Sequence, residues 1–250
     1  MSINIIPKMS APCVFDVLFK AVSYIAYKKN IDIYVIPVEK YEMIHNKKNI
    51  NIWNWEPILP DHKGYKNRRN KMEQAIKDDN VSNIFCFDLA QTKVYNVDKV
   101  KYFPLGYIDQ MVSENNNEKS GMCFLGNITN RRSRKFGSKD IHMIDIKSYK
   151  SLEDTTSRIS RHMYGIDTAR SEPYLNFYVN CLRVSQYIMA RTIVVSDNTL
   201  INDFGVKSYI YVTDMANIKF TKDIGNMAEL ALCELKKNVN MQNIFLGYDL

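Results

Sequence analysis

Short apolar runs alternate along this chain with segments in which apolar residues recur every three or four positions. The runs are rich in isoleucine, valine and aromatic residues, which is typical of buried strands, whereas the recurring spacing is typical of helices. Strand, helix and strand in repeated order predict a parallel α/β sheet. In the first half of the chain the predicted strands are 3–7, 31–38, 49–55, 81–88 and 99–107, and the predicted helices begin near Ser10 and Lys66.

A polar stretch without apolar periodicity, DQMVSENNNEKSG at 109–121, divides the alternation in two. Its composition is typical of a linker. We therefore predict a domain over 1–110, a linker over 111–120 and a second domain over 121–250. The predicted strands of the second domain include 121–127, 141–146, 191–197 and 208–214, and its predicted helices are near 151–163, 178–190 and 225–237.

The chain of 250 residues is 46% hydrophobic and carries a net charge of +7, so it can bury a core and has a basic surface. The excess of positive charge is spread over both halves. Such a balance favours an anionic partner, either nucleic acid, a phosphorylated ligand or an acidic surface. The alternative is a lysine-rich surface that serves solubility alone.

Cysteine and histidine usage indicates reduced thiols and no metal centre. The five cysteines are scattered and none forms a C-x-x-C pair, which is typical of a cytosolic compartment. The four histidines show no metal-ligand spacing. The longest apolar stretch near the start, 11–27, contains Asp16 and Lys20, so we predict neither a secretion signal nor a membrane span.

Polar residues follow two predicted strands of the second domain, where ligands bind in open parallel sheets. The first group is FLGNITNRR, in which Gly126 and Asn127 end a strand before Arg131 and Arg132. Glycine permits close approach of a ligand, and guanidinium groups bind a diphosphate in bidentate fashion. The alternative is a solvated basic turn.

A second group is Arg183 with Asn180 one helical turn before it, on a helix whose start favours anions. A third is Ser196 and Asp197 at the end of a strand, with Gln186 upstream, which are able to hydrogen-bond a nucleoside. The alternatives are a satisfied arginine at a domain surface and an ordinary exit from a strand.

The first domain contains WNWEPILPDHKGYKNRRNK, which combines aromatic, acidic and basic residues. Tryptophan beside a carboxylate suits stacking on a sugar or a base, and the basic stretch suits an anionic acceptor. Core packing of the tryptophans and a solvated helix face are the alternatives. The predicted acceptor or nucleic-acid contacts are Trp53, Trp55, Lys63, Lys66, Arg68, Arg69 and Lys71.

Three ordered segments over residues 103–200 resemble the GT-B glycosyltransferases. They are PLGY, then CFLGNITNRRSRKF, then LNFYVNCLRVSQYIMARTIVVSD. The similarity is to the small bacterial and viral members related to the family-1, spore-maturation-type enzymes. It implies an α/β fold of two Rossmann-like parallel-sheet domains facing across a cleft, with a trimmed N-terminal domain on the acceptor side and the nucleotide-sugar in the second domain.

The resemblance also implies roles for individual residues. Gly126 would allow close approach of the donor, Arg131 or Arg132 together with Arg183 would neutralise its diphosphate, and Asn176 and Tyr178 would line the sugar. The family usually has a glutamate that binds the ribose where this chain has Gln186, and a glycine where it has Arg191. No metal and no cofactor beyond the nucleotide-sugar is implied.

The implied reaction is the transfer of a hexosyl or pentosyl group from a UDP-sugar, in the cytoplasm of the cell or of the host cell if the chain is viral. An inverting mechanism would need a base, for which the candidates are Asp16, Glu56, Asp61 and His62; a retaining one would not. The acceptor is either a modified base in phage DNA or a glycan. A non-enzymatic nucleic-acid-binding protein remains the alternative, whereas the missing G-x-G-x-x-G argues against a dinucleotide oxidoreductase.

Overall fold

The computed structural model describes residues 3–5, 31–54, 58, 65–87, 89–114, 118–126, 136, 140–145, 152–168, 181–197, 201–213 and 226–241. These residues contain ten strands, five α-helices and two 3-10 helices, and they divide into two compact units. The described residues up to Pro104 belong to the first unit, and those from Leu105 to Met241 belong to the second. No helix in the described part of the chain is both long and apolar enough to cross a membrane.

The first unit is built on a parallel sheet of five strands in the order β1-β2-β3-β4-β5. All five lie within predicted strands, which confirms the prediction of a parallel α/β sheet. The central strand β3 is buried along its whole length, as expected for a parallel strand covered on both faces. The elements are β1 (Ile3–Ile5), β2 (Ile33–Val35), β3 (Ile50–Asn54), α1 (Tyr65–Lys77), β4 (Val81–Cys86), α2 (Leu89–Tyr95) and β5 (Val100–Tyr102), with a 3-10 helix at Val38–Met43 after β2.

The second unit is built on another parallel sheet, in the order β10-β9-β8-β6-β7. Its central strand β8 was not predicted, because four residues that include a glycine are too short to show a period. The elements are β6 (Met122–Leu125), β7 (Ile141–Ile144), α3 (Leu152–Ile159), β8 (Tyr164–Asp167), α4 (Cys181–Met189), β9 (Ile193–Ser196), β10 (Ile210–Tyr211) and α5 (Met227–Asn238), with a 3-10 helix at Asp109–Met111.

The polar stretch that we predicted as a linker packs in part against the C-terminal end of α4. The backbone N–H of Ser113 donates to the Met189 carbonyl at 2.9 Å, and Lys119 Nζ donates to the Ala190 carbonyl at 3.1 Å. A lysine at the last carbonyl groups of a helix also opposes the negative end of the helix dipole. The described residues of this stretch therefore belong to the second unit, and the sequence boundary between the units falls at 104/105 instead of 110/111.

The turn between α4 and β9 keeps the shape that a glycine would give it, although it contains Arg191. Arg191 has a φ of 55°, in the left-handed region. The Arg191 N–H donates to the Ile188 carbonyl and the Thr192 N–H donates to the Tyr187 carbonyl, which is the bonding of a Schellman motif. The side chain offsets part of the backbone strain, since it donates to the Ser113 carbonyl at 3.0 Å and forms an ion pair with Glu229.

We expect Arg191→Gly to be more stable than Arg191→Ala by about 1 kcal/mol. Both variants lose the contacts with Ser113 and Glu229, but only alanine retains the cost of the left-handed backbone. The measurement is the free energy of unfolding in urea. Equal stability of the two variants would show that the turn relaxes when the arginine is removed.

Candidate functional site

The strand order of the second sheet reverses next to β6. The chain passes from β6 to β7 on one side and then to β8 on the other side. In open parallel sheets the crevice at such a reversal, at the carboxyl ends of the strands, is where ligands bind. Gly126 follows β6 at this edge, and polar residues stand at the two neighbouring strand ends, Asp167 and Thr168 at β8 and Ser196 and Asp197 at β9.

Arg183, in the first turn of α4, joins the ends of β6 and β8. Its side chain is only 8% exposed. Its Nε atom donates to the Leu125 carbonyl at 2.9 Å, and its Nη1 atom donates to Asp167 Oδ1 at 2.8 Å and to the Thr168 carbonyl at 3.3 Å. The guanidinium carbon also lies 4.7 Å from the centre of the Phe124 ring. A planar fork of donors is suited to such a multiple contact, which a lysine cannot reproduce.

The polar network extends from Asp167 to β9. Ser196 Oγ donates to Asp167 Oδ2 at 3.1 Å, and Thr168 Oγ1 donates to Asp197 Oδ2 at 3.0 Å. Burial raises the pKa of the Asp167 carboxyl, whereas the charge and the hydrogen bond of Arg183 act in the opposite direction. Hydroxyl groups and one guanidinium therefore hold two carboxylates at the ends of adjacent strands.

Tyr187, one helical turn after Arg183, links the same two strands. Its hydroxyl accepts from the Leu125 N–H at 2.7 Å and donates to the Ile166 carbonyl at 3.0 Å. The backbone pairing of β6 with β8 ends at Gly165. Beyond this point the Tyr187 hydroxyl connects the two strands in place of a direct backbone hydrogen bond. Gly165 is required beneath the ring, because an added Cβ would lie 2.5 Å from it.

The backbone conformation of Gly126 and its closeness to Arg183 both favour a glycine at this position. Its φ of 135° is unfavourable for any residue with a side chain, and an added Cβ would lie 3.4 Å from Arg183 Nη2. Its N–H donates to the Ile144 carbonyl of β7 at 3.1 Å. This glycine thus lets the chain leave β6 directly beside the guanidinium.

The structure brings four of the predicted donor-site residues to one end of the second sheet, and it places a fifth, Gln186, in the buried part of α4. Their roles in binding a donor stay predictions. The other predicted donor-site residues lie outside the described residues, as do all four candidate bases. These are Asn127, Arg131, Arg132, Asn176, Tyr178 and Asn180, and the bases Asp16, Glu56, Asp61 and His62.

Sequence reasoning missed Asp167 and Tyr187. Asp167 ends the unpredicted strand β8, and Tyr187 reads as one more apolar position of an amphipathic helix. The sequence does contain a signal for Asp167, namely an acidic residue directly after a short run of mostly apolar residues. Asp197 follows the run of β9 in the same way.

Trp53 lies in the core of the first unit. It is 2% exposed, its Nε1 atom donates to the Phe103 carbonyl at 3.3 Å, and its ring meets the Phe103 ring edge-on at 5.8 Å. This corresponds to core packing instead of a stacking platform for an acceptor, because the ring packs against Phe103 and its Nε1 atom already has a backbone partner. Trp55 lies outside the described residues.

The basic residues of α1 are mostly paired with carboxylates. Arg68 forms an ion pair with Glu39 and Lys71 forms one with Glu42, both on the 3-10 helix after β2. Arg69 pairs with Glu73 one turn along α1 at 2.8 Å. These three ion pairs lower the positive potential that we predicted for this helix. Lys66 is exposed, and Lys63 lies outside the described residues.

Within the described ranges no three histidine, cysteine or acidic side chains lie close enough together to hold a metal ion. The rings of His142 and His162 stack at 5.0 Å, a contact that their sequence spacing does not reveal.

A scan against protein-family models gave no match, and no curated protein is similar in sequence. Solved structures are similar in fold. One is an α,α-trehalose-phosphate synthase (UDP-forming) from Burkholderia vietnamiensis, with a TM-score of 0.55 and 8% identity over 92% of this chain and 74% of that chain. Another is an alpha-glucosyltransferase in complex with UDP-glucose and DNA containing an abasic site, with a TM-score of 0.51 and 10% identity over 98% of each chain.

The chain has a GT-B-like fold. Two parallel α/β sheets, each in its own compact unit, account for this similarity, which covers nearly all of the chain. The fold class that the resemblance implied is therefore confirmed.

We expect Arg183→Ala to lower the free energy of unfolding by about 3–5 kcal/mol, because it leaves the Asp167 carboxylate buried without its cation. In a double-mutant cycle, Asp167→Asn and Arg183→Met each remove one charge of the pair and the double variant removes both, so the double variant should lose less than the sum of these two single variants. Urea denaturation of the wild type, the two single variants and the double variant measures this coupling. Additive losses would mean that the ion pair contributes nothing as a pair.

Proposed function

We propose that this chain is a glycosyltransferase that takes a sugar from a UDP-sugar bound at the carboxyl ends of β6, β8 and β9. The observation that carries the proposal is the buried Arg183–Asp167 network, which lies at the point where the strand order reverses. The GT-B-like fold supports it. So do the names of the two similar structures, one a UDP-forming synthase and the other a glucosyltransferase bound to UDP-glucose.

The charge of the network shapes the proposed role of Arg183. With both carboxylates ionised, Arg183, Asp167 and Asp197 sum to a charge of −1. A diphosphate therefore needs further cations, and we propose that Arg131 or Arg132 of the basic turn supply them. Arg183 then contributes to the leaving diphosphate from a position that its ion pair holds fixed. Preorganised cations of this kind stabilise charge that develops on a leaving group.

The uncharged and acidic groups suit the hydroxyls of the donor. Carboxylate and amide oxygens accept hydrogen bonds from hydroxyl groups, so we propose that Ser196, Asp197 and Gln186 bind the nucleoside. Asn176 and Tyr178 are proposed to line the sugar. The transfer requires no metal or further cofactor in this proposal, and a base, if one is used, would be Asp16, Glu56, Asp61 or His62.

For the acceptor we propose a modified base in DNA. The net charge of +7 favours a polyanion, and one similar structure, matched over 98% of each chain, is bound to DNA. An enzyme that reacts with a base must take it out of the stack, and binding of this kind weakens steeply with salt. A glycan is the competing acceptor, and a nucleic-acid-binding protein without activity is the competing class.

The donor proposal predicts that UDP and UDP-glucose bind without added metal and that uridine binds more weakly, because the diphosphate provides much of the contact. Arg183→Lys keeps a cation beside Asp167 but loses the fork of donors, so it should weaken UDP more than uridine. Calorimetric titration of both proteins measures this. Salt-sensitive binding of DNA by a wild-type chain that binds no nucleotide-sugar would contradict the transferase proposal and favour the binding protein.

The acceptor proposal predicts that Glu39→Gln with Glu42→Gln tightens duplex DNA binding, since it removes the carboxylate charges that neutralise Arg68 and Lys71. Each added phosphate contact should steepen the plot of log affinity against log salt by about 0.9. Asp203→Asn, which removes an exposed carboxylate from the second unit, is the control. If the double variant binds DNA with unchanged affinity and an unchanged salt dependence, α1 is not part of the acceptor surface.

A further inference from the structure

A relay of buried amides lies at the carboxyl end of β3 in the first unit. Asn54, the last residue of β3, is fully buried, and Gln91 of α2 is 2% exposed. Asn54 Oδ1 accepts from the Val38 N–H at 3.0 Å. Asn54 Nδ2 in turn donates to Gln91 Oε1 in a long bond of 3.4 Å. The relay thus starts at a backbone N–H and ends at the Gln91 Nε2 atom.

The orientation of both amides follows from the backbone group at the start of the relay. The oxygen and nitrogen of an amide are exchanged by a flip, so the hydrogen-bond network must assign them. The Val38 N–H can only donate, so the Asn54 atom that faces it is the oxygen. The Asn54 nitrogen then faces Gln91 and requires its oxygen. Gln91 Nε2 is consequently turned away from Asn54.

Gln91 Nε2 is buried and has no hydrogen-bond partner among the described residues. Nearly all buried polar groups in proteins are hydrogen-bonded, because a buried donor without a partner has lost its bonds to water and gained nothing in return. A nitrogen held in this orientation therefore requires an oxygen that the described part of the chain does not supply.

The position of the relay is one at which parallel sheets bind ligands. Asn54 is paired in register with Cys86, the last residue of β4, so the two strands end at the same level. Gln91 follows the end of β4 by five residues. The orphan donor therefore lies at the carboxyl ends of β3 and β4, where ligands bind in sheets of this kind.

We propose that Gln91 Nε2 donates a hydrogen bond to an uncharged oxygen of the acceptor, which makes Gln91 a specificity-determining residue. This inference rests on the proposed function, because only a transferase has an acceptor. A neutral amide does not neutralise the charge of a phosphate, which cationic donors bind far better. The ligand atom is instead the carbonyl or hydroxyl oxygen of an extruded base.

Side-chain amide signals in a nitrogen–proton NMR spectrum test the contact directly. The amide signals of Gln91 are assigned as the pair that is missing from the spectrum of Gln91→Met. Those of the exposed Gln110 are assigned in the same way from Gln110→Met. The probe is a short duplex containing one 5-hydroxymethylpyrimidine, added in the presence of UDP. We expect the Gln91 signals to shift and those of Gln110 to stay in place.

Kinetics with the same duplex and saturating UDP-glucose test the consequence. Gln91→Met and Gln91→Glu both remove the donors, and glutamate keeps an oxygen for Asn54. Both should raise the acceptor KM about tenfold and leave the donor KM within twofold. A purely structural role would instead lower the melting temperature of Gln91→Met without changing the acceptor KM. Gln110→Met is the matched control.

The outcomes separate this inference from the proposed function. Gln91 signals that stay in place while the duplex binds, or an unchanged acceptor KM in both variants, would overturn the inference. Signals that shift with the duplex in a chain that binds no UDP-glucose would support the amide site and reject the transferase. Signals that shift with an oligosaccharide but not with the duplex would overturn DNA as the ligand.

Discussion

The second unit depends on one buried ion pair. Arg183 and Asp167 come from a helix and a strand, and the guanidinium also holds the Leu125 carbonyl at the end of β6. A buried charge is tolerated only when a partner and hydrogen bonds replace its water, which is the case for both members here. The ion pair therefore fixes the carboxyl ends of two strands to each other and to α4, at the place where the strand order reverses.

This constraint explains several residues that have no charge. Gly165 must lack a side chain because the Tyr187 ring covers it, and Gly126, beside the guanidinium, has a φ of 135° that disfavours any residue with a side chain. Tyr187 lies one helical turn after Arg183, so the two side chains reach the same strand end, one at the Leu125 carbonyl and the other at its N–H. The polar site and the packing around it are a single arrangement.

The sequence pattern predicted the strands and the polar residues that follow them better than it predicted what those residues contact. Periodicity reports which residues are buried but not which side chains meet, so Arg183 was predicted as a site residue on a helix, whereas its partner Asp167 was not predicted. Trp53 was predicted in an aromatic cluster for stacking, but its burial makes it a core residue. From sequence alone, the basic run on α1 was predicted as a cationic patch. Its partners Glu39 and Glu42 lie some thirty residues earlier, so the pairing is apparent only in the folded chain.

The two sheets treat buried polar groups at their carboxyl ends differently. In the second unit the acids are held by Arg183 and by hydroxyl groups, so the network is largely completed by the protein and carries charge. In the first unit the amide relay is neutral and stops at Gln91 Nε2, with a donor still to be satisfied. A charged network is suited to a charged donor once further cations complete it, and a neutral one is suited to the uncharged oxygen of an acceptor. Under the proposed function, donor and acceptor would each bind at the strand ends whose unsatisfied groups suit them.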